Sequence, residues 1–222
     1  MAGETTVLAG AIVLGVLYWA GWCWREGGGL PGLLVKTGST ALLAVFAYLA
    51  GGPWLLVAGL ALSSAGDAFL AVDKPGEDKW LKPGMAAFFL AHVAYVALFW
   101  GLPQADRSLL NFAAQLALVL SGVVFVRWLA PRLGAMRYPV FAYTAIILVM
   151  GAAALRLQPQ YVLVTLGAVM FVASDMILSL QLFARQEGAP KRMLPSLSVW
   201  GLYFFGQALI AWGAAYPFVG VV

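Results

Sequence analysis

Charged side chains are scarce in this sequence of 222 residues. Lys, Arg, Asp and Glu together make up 10% of it, whereas soluble globular proteins carry roughly 25%. Most of the chain therefore cannot face water, and an ordinary soluble domain is excluded. Cysteine and histidine are rarer still, with one of each, Cys23 and His92. A single cysteine cannot form an intrachain disulfide, so a disulfide-stabilised scaffold is excluded as well.

Apolar residues are abundant, at 63% of the chain, and the mean hydropathy is +0.91. A helix needs about 20 apolar residues to cross a hydrocarbon core of ~30 Å, and eight stretches of this kind are present. Their hydrophobicity is continuous rather than alternating, which favours helices over strands. We therefore predict an all-α polytopic membrane protein, a single domain over residues 1–222 formed by a bundle of eight transmembrane helices. The stretches are 7–24, 33–50, 53–72, 83–102, 109–129, 138–155, 161–183 and 194–214.

The distribution of Lys and Arg predicts the orientation of this bundle. Eleven of the 13 lie beside loops that follow odd-numbered stretches, and the other two are Arg107 and Arg156. Cytoplasmic loops are enriched in Lys and Arg, so both termini are predicted to be extracytoplasmic. The N-terminus lacks the basic region of a cleavable signal peptide, and the first stretch is predicted to be retained. We expect an integral protein of a bacterial inner (plasma) membrane. The eleven residues are Arg25, Lys36, Lys74, Lys79, Lys82, Arg127, Arg132, Arg137, Arg185, Lys191 and Arg192.

Two acidic residues, Asp67 and Asp175, lie well inside the third and seventh stretches. A carboxylate at membrane depth costs about 2.5–3.5 kcal/mol on insertion scales, so it is expected to face the bundle interior and to have a function. Hydrogen bonding between helices is the alternative role. Each acid follows a small residue, Gly66 or Ser174, and precedes a leucine by three positions. This short similarity suggests a 4+4 internal repeat with the two helices parallel.

Further polar side chains lie at comparable depth in other stretches. Counted at 1.5 Å per residue, Asp67, Asp175, His92 and Tyr203 lie ~9–15 Å from the cytoplasmic ends of their stretches. One cavity in that half of the bundle is therefore expected to hold them, together with Tyr143. Residues three or four positions apart share a helix face, which adds three more candidates: Ser63 near Asp67, Tyr95 near His92 and Gln207 near Tyr203. Lys36 opens the second stretch, either as a phosphate contact or as a snorkelling anchor.

The residue types restrict the chemistry. One His and one Cys cannot supply the usual ligands of a zinc hydrolase, so neither a metal nor another cofactor is expected. A triad of Ser63, His92 and Asp175 is disfavoured because no nucleophile elbow frames a serine. Two carboxyl groups in one low-dielectric pocket suit acid–base catalysis, with one acting as the acid and the other as the base. Such a pair fits a reaction that passes through an oxocarbenium-like cation.

Several motifs resemble the YhhN-type lysoplasmalogenase family over almost the whole chain, from about Lys36 to Ala211. They are Ser63-x-x-Gly66-Asp67, Gly84-x-x-x-Phe88-x-x-x-His92-x-x-Tyr95, Gly167-Ala168-x-x-Phe171-x-x-Ser174-Asp175, Tyr143 with Met150, and Tyr203 with Gln207. The sequence departs from the family pattern at Ala152-Ala153-Ala154, where many members carry a bulkier or polar residue.

The resemblance implies hydrolysis of the vinyl ether of a lysoplasmalogen to a fatty aldehyde and glycerophosphocholine or glycerophosphoethanolamine. Asp67 and Asp175 would be acid and base, in an order that the sequence leaves open, and His92 and Tyr95 would orient them or a water molecule. Tyr143, Tyr203 and Gln207 would hold the glycerol oxygens with Ser63 nearby, and Lys36 would meet the phosphate. The expected partners are a lysophospholipid substrate and membrane lipids, with no protein partner implied.

Two other function classes remain open at this point. Two intramembrane acids on parallel helices also suit a proton-coupled transporter. A lipid-binding membrane protein without catalytic activity is the third class. Nucleic-acid binding is not expected, because no basic run with interleaved aromatic residues is present.

Overall fold

The computed structural model describes residues 2–25, 28–73, 79–184 and 192–218. These ranges contain eight long helices and no β-strand; an isolated bridge joins Gln104 to Leu157. Lys74, Arg185 and Lys191, used above to predict the orientation, lie outside the described residues. The helices are α1 (Ala2–Gly21), α2 (Gly29–Leu49), α3 (Trp54–Val72), α4 (Leu81–Gly101), α5 (Leu109–Leu129), α6 (Arg137–Ala154), α7 (Val162–Phe183) and α8 (Met193–Ala215).

All eight helices are long and apolar enough to cross a membrane, which confirms the predicted all-α, multi-pass architecture. From α3 to α8 the predicted bounds agree with the structure to within two residues. The first two helices begin earlier than predicted. Helix α1 includes Glu4, which complements the helix dipole in the first turn and accepts a hydrogen bond of 2.7 Å from Tyr216. Helix α2 includes Pro31, and proline is tolerated in a first turn because no partner for its nitrogen is needed there.

The pattern of helix packing repeats after four helices. The main pairs α1–α2, α2–α3 and α3–α4 have counterparts in α5–α6, α6–α7 and α7–α8, and the α4–α6 pair has its counterpart in α8–α2. This arrangement agrees with the suggested 4+4 repeat. It places α4 and α8 in the interior of the bundle, where both carry polar residues of the candidate site.

Helices α1 and α5 lie at the periphery. Among the described side chains of α5, Gly122 and Leu129 are the buried ones, and many others are exposed to the surroundings of the bundle. In a membrane those surroundings are lipid chains, so an apolar exposed surface is expected there. Helix α5 therefore closes one side of the bundle loosely, against α6.

Two glycines of α3 allow aromatic rings of α4 to approach its backbone. A Cβ at Gly59 would lie 2.6 Å from the ring of Tyr95, and one at Gly66 would lie 2.6 Å from the ring of Phe88. Small residues at such crossings let membrane helices pack closely. The α3–α4 contact thereby fixes two rings that border the candidate site.

Candidate active site

Asp67 of α3 is held by polar groups from two other helices. Its Oδ2 accepts hydrogen bonds from Thr40 Oγ1 of α2 (2.8 Å) and Tyr203 Oη of α8 (2.7 Å). Its Oδ1 lies 3.2 Å from Lys36 Nζ. The carboxyl group is 2% exposed and the Lys36 side chain 14%. The two therefore form a nearly buried ion pair, and most of the acceptor capacity of Asp67 is occupied.

Asp175 of α7 has fewer partners. Its Oδ2 accepts one hydrogen bond, of 2.5 Å, from Tyr143 Oη of α6. The same oxygen lies 3.9 Å from His92 Nε2 of α4. Among the described residues no cation comparable to Lys36 is paired with this carboxyl group, which leaves it free to exchange a proton.

The hydrogen bonding of His92 determines its tautomer. The ring is fully buried, and Nδ1 lies 2.6 Å from the carbonyl oxygen of Phe88. A carbonyl oxygen only accepts, so Nδ1 carries the hydrogen and Nε2 of the neutral ring is an acceptor. Within the described part of the chain Nε2 has no hydrogen-bond partner. It is directed at the Asp175 carboxyl group, where it can receive a proton or stabilise one.

Aromatic rings contact residues of both polar clusters. Phe171 of α7 packs against His92 with centroids 4.8 Å apart and against Tyr203 at 5.2 Å. Phe88 also packs edge-on against Tyr203, at 5.8 Å. The structure thus brings Asp67 and Asp175 into one region of the bundle, in two polar clusters that both contact Phe171 through His92 and Tyr203.

Tyr95, Gln207 and Ser63 form a third polar group, deeper in the bundle. Tyr95 Oη donates a hydrogen bond of 2.5 Å to Gln207 Oε1. Ser63 is adjacent to the Tyr95 hydroxyl, and Gln207 is adjacent to the Tyr203 hydroxyl. The polar side chains of Tyr95, Gln207 and Tyr203 thus lead toward Asp67. They do not form a continuous hydrogen-bond network, because within the described residues Ser63 Oγ and Gln207 Nε2 have no hydrogen-bond partner. The disfavoured Ser63–His92–Asp175 triad is not assembled, because one His92 nitrogen binds the Phe88 carbonyl and the other faces Asp175.

Two narrow clefts share Asp175 and Tyr143 in their walls. The end cleft lies near the ends of α3 and α7 and the starts of α4 and α6; its walls include Leu70, Leu81, Met85, Val140, Leu182 and Phe183. The lateral cleft lies between α5, α6 and α7; its walls include Gly122, Phe125, Ile147, Leu148, Val172 and Met176. Asp67 lines neither cleft.

Sequence reasoning did not select Thr40 or Phe171 as site residues. Thr40 follows Lys36 by four positions, so the shared helix face was a usable signal. Phe171 belongs to the motif that carries the family resemblance, but its residue type gave no sign of a site role, since a phenylalanine in an apolar helix is indistinguishable from a core residue. Among the described residues no group of three or more His, Cys, Asp or Glu side chains gathers where it could hold a metal ion.

The fold and the site together define a class: a polytopic membrane protein with buried carboxyl groups, one of them at the junction of two apolar clefts. The sequence profile of the YhhN family matches residues 32–214. The chain belongs to the YhhN family.

Curated relatives carry a functional name. The chain is 29% identical over 161 residues to proteins named "Lysoplasmalogenase" from Mycobacterium bovis and Mycobacterium tuberculosis, an alignment that covers 71% of this chain and 59% of each relative. It is 32% identical over 165 residues to "Lysoplasmalogenase TMEM86A" of Bos taurus, covering 70% of this chain and 63% of that relative. The chain thus spans about three fifths of the length of these relatives. No solved structure matches it.

Proposed function

We propose that this protein is a lysoplasmalogenase, which hydrolyses the vinyl ether of a lysoplasmalogen to a fatty aldehyde and a glycerophosphocholine or glycerophosphoethanolamine. The observation that carries the proposal is the position of Asp175, beside Tyr143 and His92 at the junction of two apolar clefts. An intramembrane acid reached by apolar clefts suits a lipid substrate whose reactive bond needs a proton. The names of the curated relatives support the same activity.

In the proposed mechanism Asp175, in its protonated form, transfers its proton to the vinyl ether carbon remote from the oxygen. The double bond supplies the electron pair, and the adjacent carbon becomes an oxocarbenium ion. Water adds to that carbon while the Asp175 carboxylate accepts a proton from it, which gives a hemiacetal. Asp175 then protonates the glycerol oxygen as the carbon–oxygen bond breaks and recovers the proton of the hemiacetal hydroxyl. The products are the aldehyde and the glycerol alcohol, and Asp175 is regenerated.

The contacts favour unequal roles for the two acids. Asp175 has one hydroxyl donor and a histidine acceptor nearby, so it is the group that moves protons. His92 and Tyr143 position and polarise it. Asp67 is paired with Lys36 and bonded by Thr40 and Tyr203. We propose that Asp67 stays ionised and supplies negative charge near the cation formed in the reaction.

Tyr143, Tyr203 and Gln207 are proposed to meet the glycerol oxygens, as the resemblance implies, with Ser63 nearby. The resemblance implies that Tyr95 orients an acid or a water molecule; because the Tyr95 hydroxyl donates to Gln207 Oε1, we propose that it positions Gln207 instead. A phosphate contact by Lys36 stays a prediction, and it would require Lys36 to share or leave Asp67. The end cleft opens where the glycerophosphate head group of a lipid would lie.

The test is aldehyde release from a defined lysoplasmalogen by the purified protein in detergent or proteoliposomes. Wild-type protein is expected to release one aldehyde per vinyl ether consumed. Asp175→Asn is expected to lose ~10²–10⁴-fold in turnover, the usual contribution of a general acid or base. Asp106→Asn is the matched control, because Asp106 is exposed in the α4–α5 connection, and it should retain wild-type turnover.

Each other outcome is decisive. Folded wild-type protein that releases no aldehyde from any lysoplasmalogen refutes the proposed activity. Normal turnover in a folded Asp175→Asn protein instead refutes the role of Asp175 while leaving the activity in place. His92→Gln and Tyr143→Phe should fall between the wild type and Asp175→Asn if these residues act through Asp175.

A further inference from the structure

The two clefts that meet at Asp175 differ in their depth along the bundle. The walls of the end cleft include Leu81 at the start of α4 and Phe183 at the end of α7. The lateral cleft is bounded by Gly122 of α5, which lies seven residues before the end of that helix at Leu129. At 1.5 Å per residue that position is ~10 Å inside the helix end. One cleft therefore reaches head-group depth, and the other reaches the hydrocarbon layer.

We propose that the lateral cleft binds the hydrocarbon chain of a lysolipid and that Gly122 and Leu148 determine which chains it accepts. The inference rests on the proposed function, since it assigns the chain of the same substrate whose ether lies at Asp175. The head group would then extend through the end cleft toward the helix ends. This arrangement gives one continuous path past Asp175 for a molecule with one polar and one apolar end.

The chemistry of the lateral cleft fits an alkyl chain. Its walls between Gly122 and Met176 are apolar apart from Tyr143, Thr144, Ser179 and Asp175. The Thr144 hydroxyl donates to the carbonyl oxygen of Val140 at 2.8 Å, so its hydrogen is already used. An apolar wall that offers few free donors favours hydrocarbon over a polar ligand.

The contact between α5 and α6 determines the width of this cleft. A Cβ at Gly122 would lie 2.5 Å from Leu148 Cδ1 and 2.6 Å from Cδ2. The absent side chain at Gly122 is therefore what leaves room for Leu148 at the cleft wall. An alkyl chain gains little free energy when it moves from lipid into the cleft, because both surroundings are apolar. Discrimination between alkyl chains in this cleft is therefore expected to be steric rather than hydrophobic.

The first test compares kcat/KM for lysoplasmalogens with a 16-carbon and a 6-carbon alkenyl chain. Gly122→Leu should lower the ratio of the long to the short substrate by about tenfold, because overpacking a filled site is costly for the longer chain. Leu148→Ala only removes atoms and widens the cleft. It should therefore raise kcat/KM for a substrate whose chain carries a mid-chain methyl branch, relative to kcat/KM for the unbranched substrate. Val124→Leu on the lipid-facing side of α5, where Val124 is 67% exposed, is the matched control. Unchanged ratios in both cleft variants would overturn the inference.

The second test does not depend on catalysis. A lysophosphatidylethanolamine with a diazirine in mid-chain is photolysed with the protein in detergent, and the labelled peptides are mapped by mass spectrometry. Labels on α5, α6 and α7 around Phe125, Leu148 and Met176, competed by unlabelled lysolipid, are the expected result. Labels confined to α1–α3, or labels that do not compete, would overturn the chain site. If the wild type labels as expected but releases no aldehyde, the proposed function fails and the chain site stands.

Discussion

At the scale of single residues, the main contrast is between two aspartates with different surroundings. Asp67 is bonded to Lys36, Thr40 and Tyr203, and it lines no cleft. Asp175 has Tyr143 as its donor, faces an unpartnered nitrogen of His92, and lines both clefts. We therefore propose different roles for the two aspartates: Asp67 stays ionised within its pair with Lys36, and Asp175 exchanges a proton.

This contrast predicts that the two Asp→Asn variants differ in stability. Asp67→Asn leaves the Lys36 ammonium without its counter-charge in a nearly buried position, and removing one partner of a buried pair costs roughly 3–5 kcal/mol. Asp175→Asn strands no cation and should be nearly neutral for folding. Thermal melting of the detergent-solubilised proteins should show a clear decrease in Tm for Asp67→Asn and little change for Asp175→Asn.

A compensating variant separates this electrostatic effect from general damage. Lys36→Met with Asp67→Asn replaces the ion pair by an uncharged one of similar size and should recover most of the lost Tm, since buried pairs can often be replaced by apolar groups. Equal melting temperatures for the wild type and Asp67→Asn would show that Lys36 does not depend on Asp67. A double variant as unstable as the single one would point to the Thr40 and Tyr203 hydrogen bonds instead.

At the scale of helices, the contact between α7 and α8 controls the register of the site, because α7 carries Asp175 and α8 carries Tyr203 and Gln207. The two backbones approach closely at glycines. A Cβ at Gly206 would lie 2.8 Å from the carbonyl oxygen of Gly167, and one at Gly213 would lie 3.0 Å from the backbone nitrogen of Val164. A methyl group there meets backbone, which cannot rotate aside.

We therefore predict that Gly206→Ala separates α7 from α8 and destabilises the protein by about 1–3 kcal/mol, the usual cost of overpacking. Aldehyde release should decrease as well, because Tyr203 moves relative to Asp175. Gly10→Ala is the matched control in the middle of α1, where the new Cβ would meet only Leu42 Cδ1 at 3.5 Å. If both alanine variants melt together with the wild type, close α7–α8 approach is not required for stability.

At the scale of the whole molecule, eight helices that each cross the membrane once would place the beginning of α1 and the end of α8 on the same side of it. The Lys and Arg distribution then predicts which side this is. Lys36 lies within α2 and is paired with Asp67, so removing it from the count leaves ten basic residues against two. The bias remains strong, and we predict extracytoplasmic termini.

Reporter fusions test this orientation. Alkaline phosphatase fused after Val222 should be active in a bacterial host, and green fluorescent protein at the same position should be dark. A control fusion within the α4–α5 connection, near Asp106, should behave like the C-terminus because it lies on the same predicted side. Fluorescent protein without phosphatase activity at Val222 would reverse the orientation.

The sequence by itself was sufficient for the number of spans, most of their bounds and the acids inside them. These features depend on local composition. A run of about 20 apolar residues is long enough to cross the membrane as a helix, and a carboxyl group within such a run is expected to face the bundle interior and contact polar groups there. The starts of the first two helices were predicted too late, because α1 includes Glu4 and α2 includes Pro31. Capping and first-turn effects, which allow such residues at a helix start, are weaker signals in a sequence than hydropathy. The motifs around Asp67, His92 and Asp175 likewise indicated which helices meet at the site.

Only the tertiary structure decided which polar groups pair. Tyr203 donates to Asp67 and Tyr143 donates to Asp175, while Lys36 binds Asp67 rather than lying free at the membrane boundary. Phe171 packs against the partners of both acids, His92 and Tyr203, and of the two acids Asp175 lines the clefts while Asp67 does not. The spacing of residues along a helix and their depth in the membrane can be read from the sequence. The hydrogen-bond and ion-pair partners of each polar side chain depend instead on the rotation of each helix about its axis. That rotation is determined by close packing at residues such as Gly66 and Gly206 with helices distant in the chain.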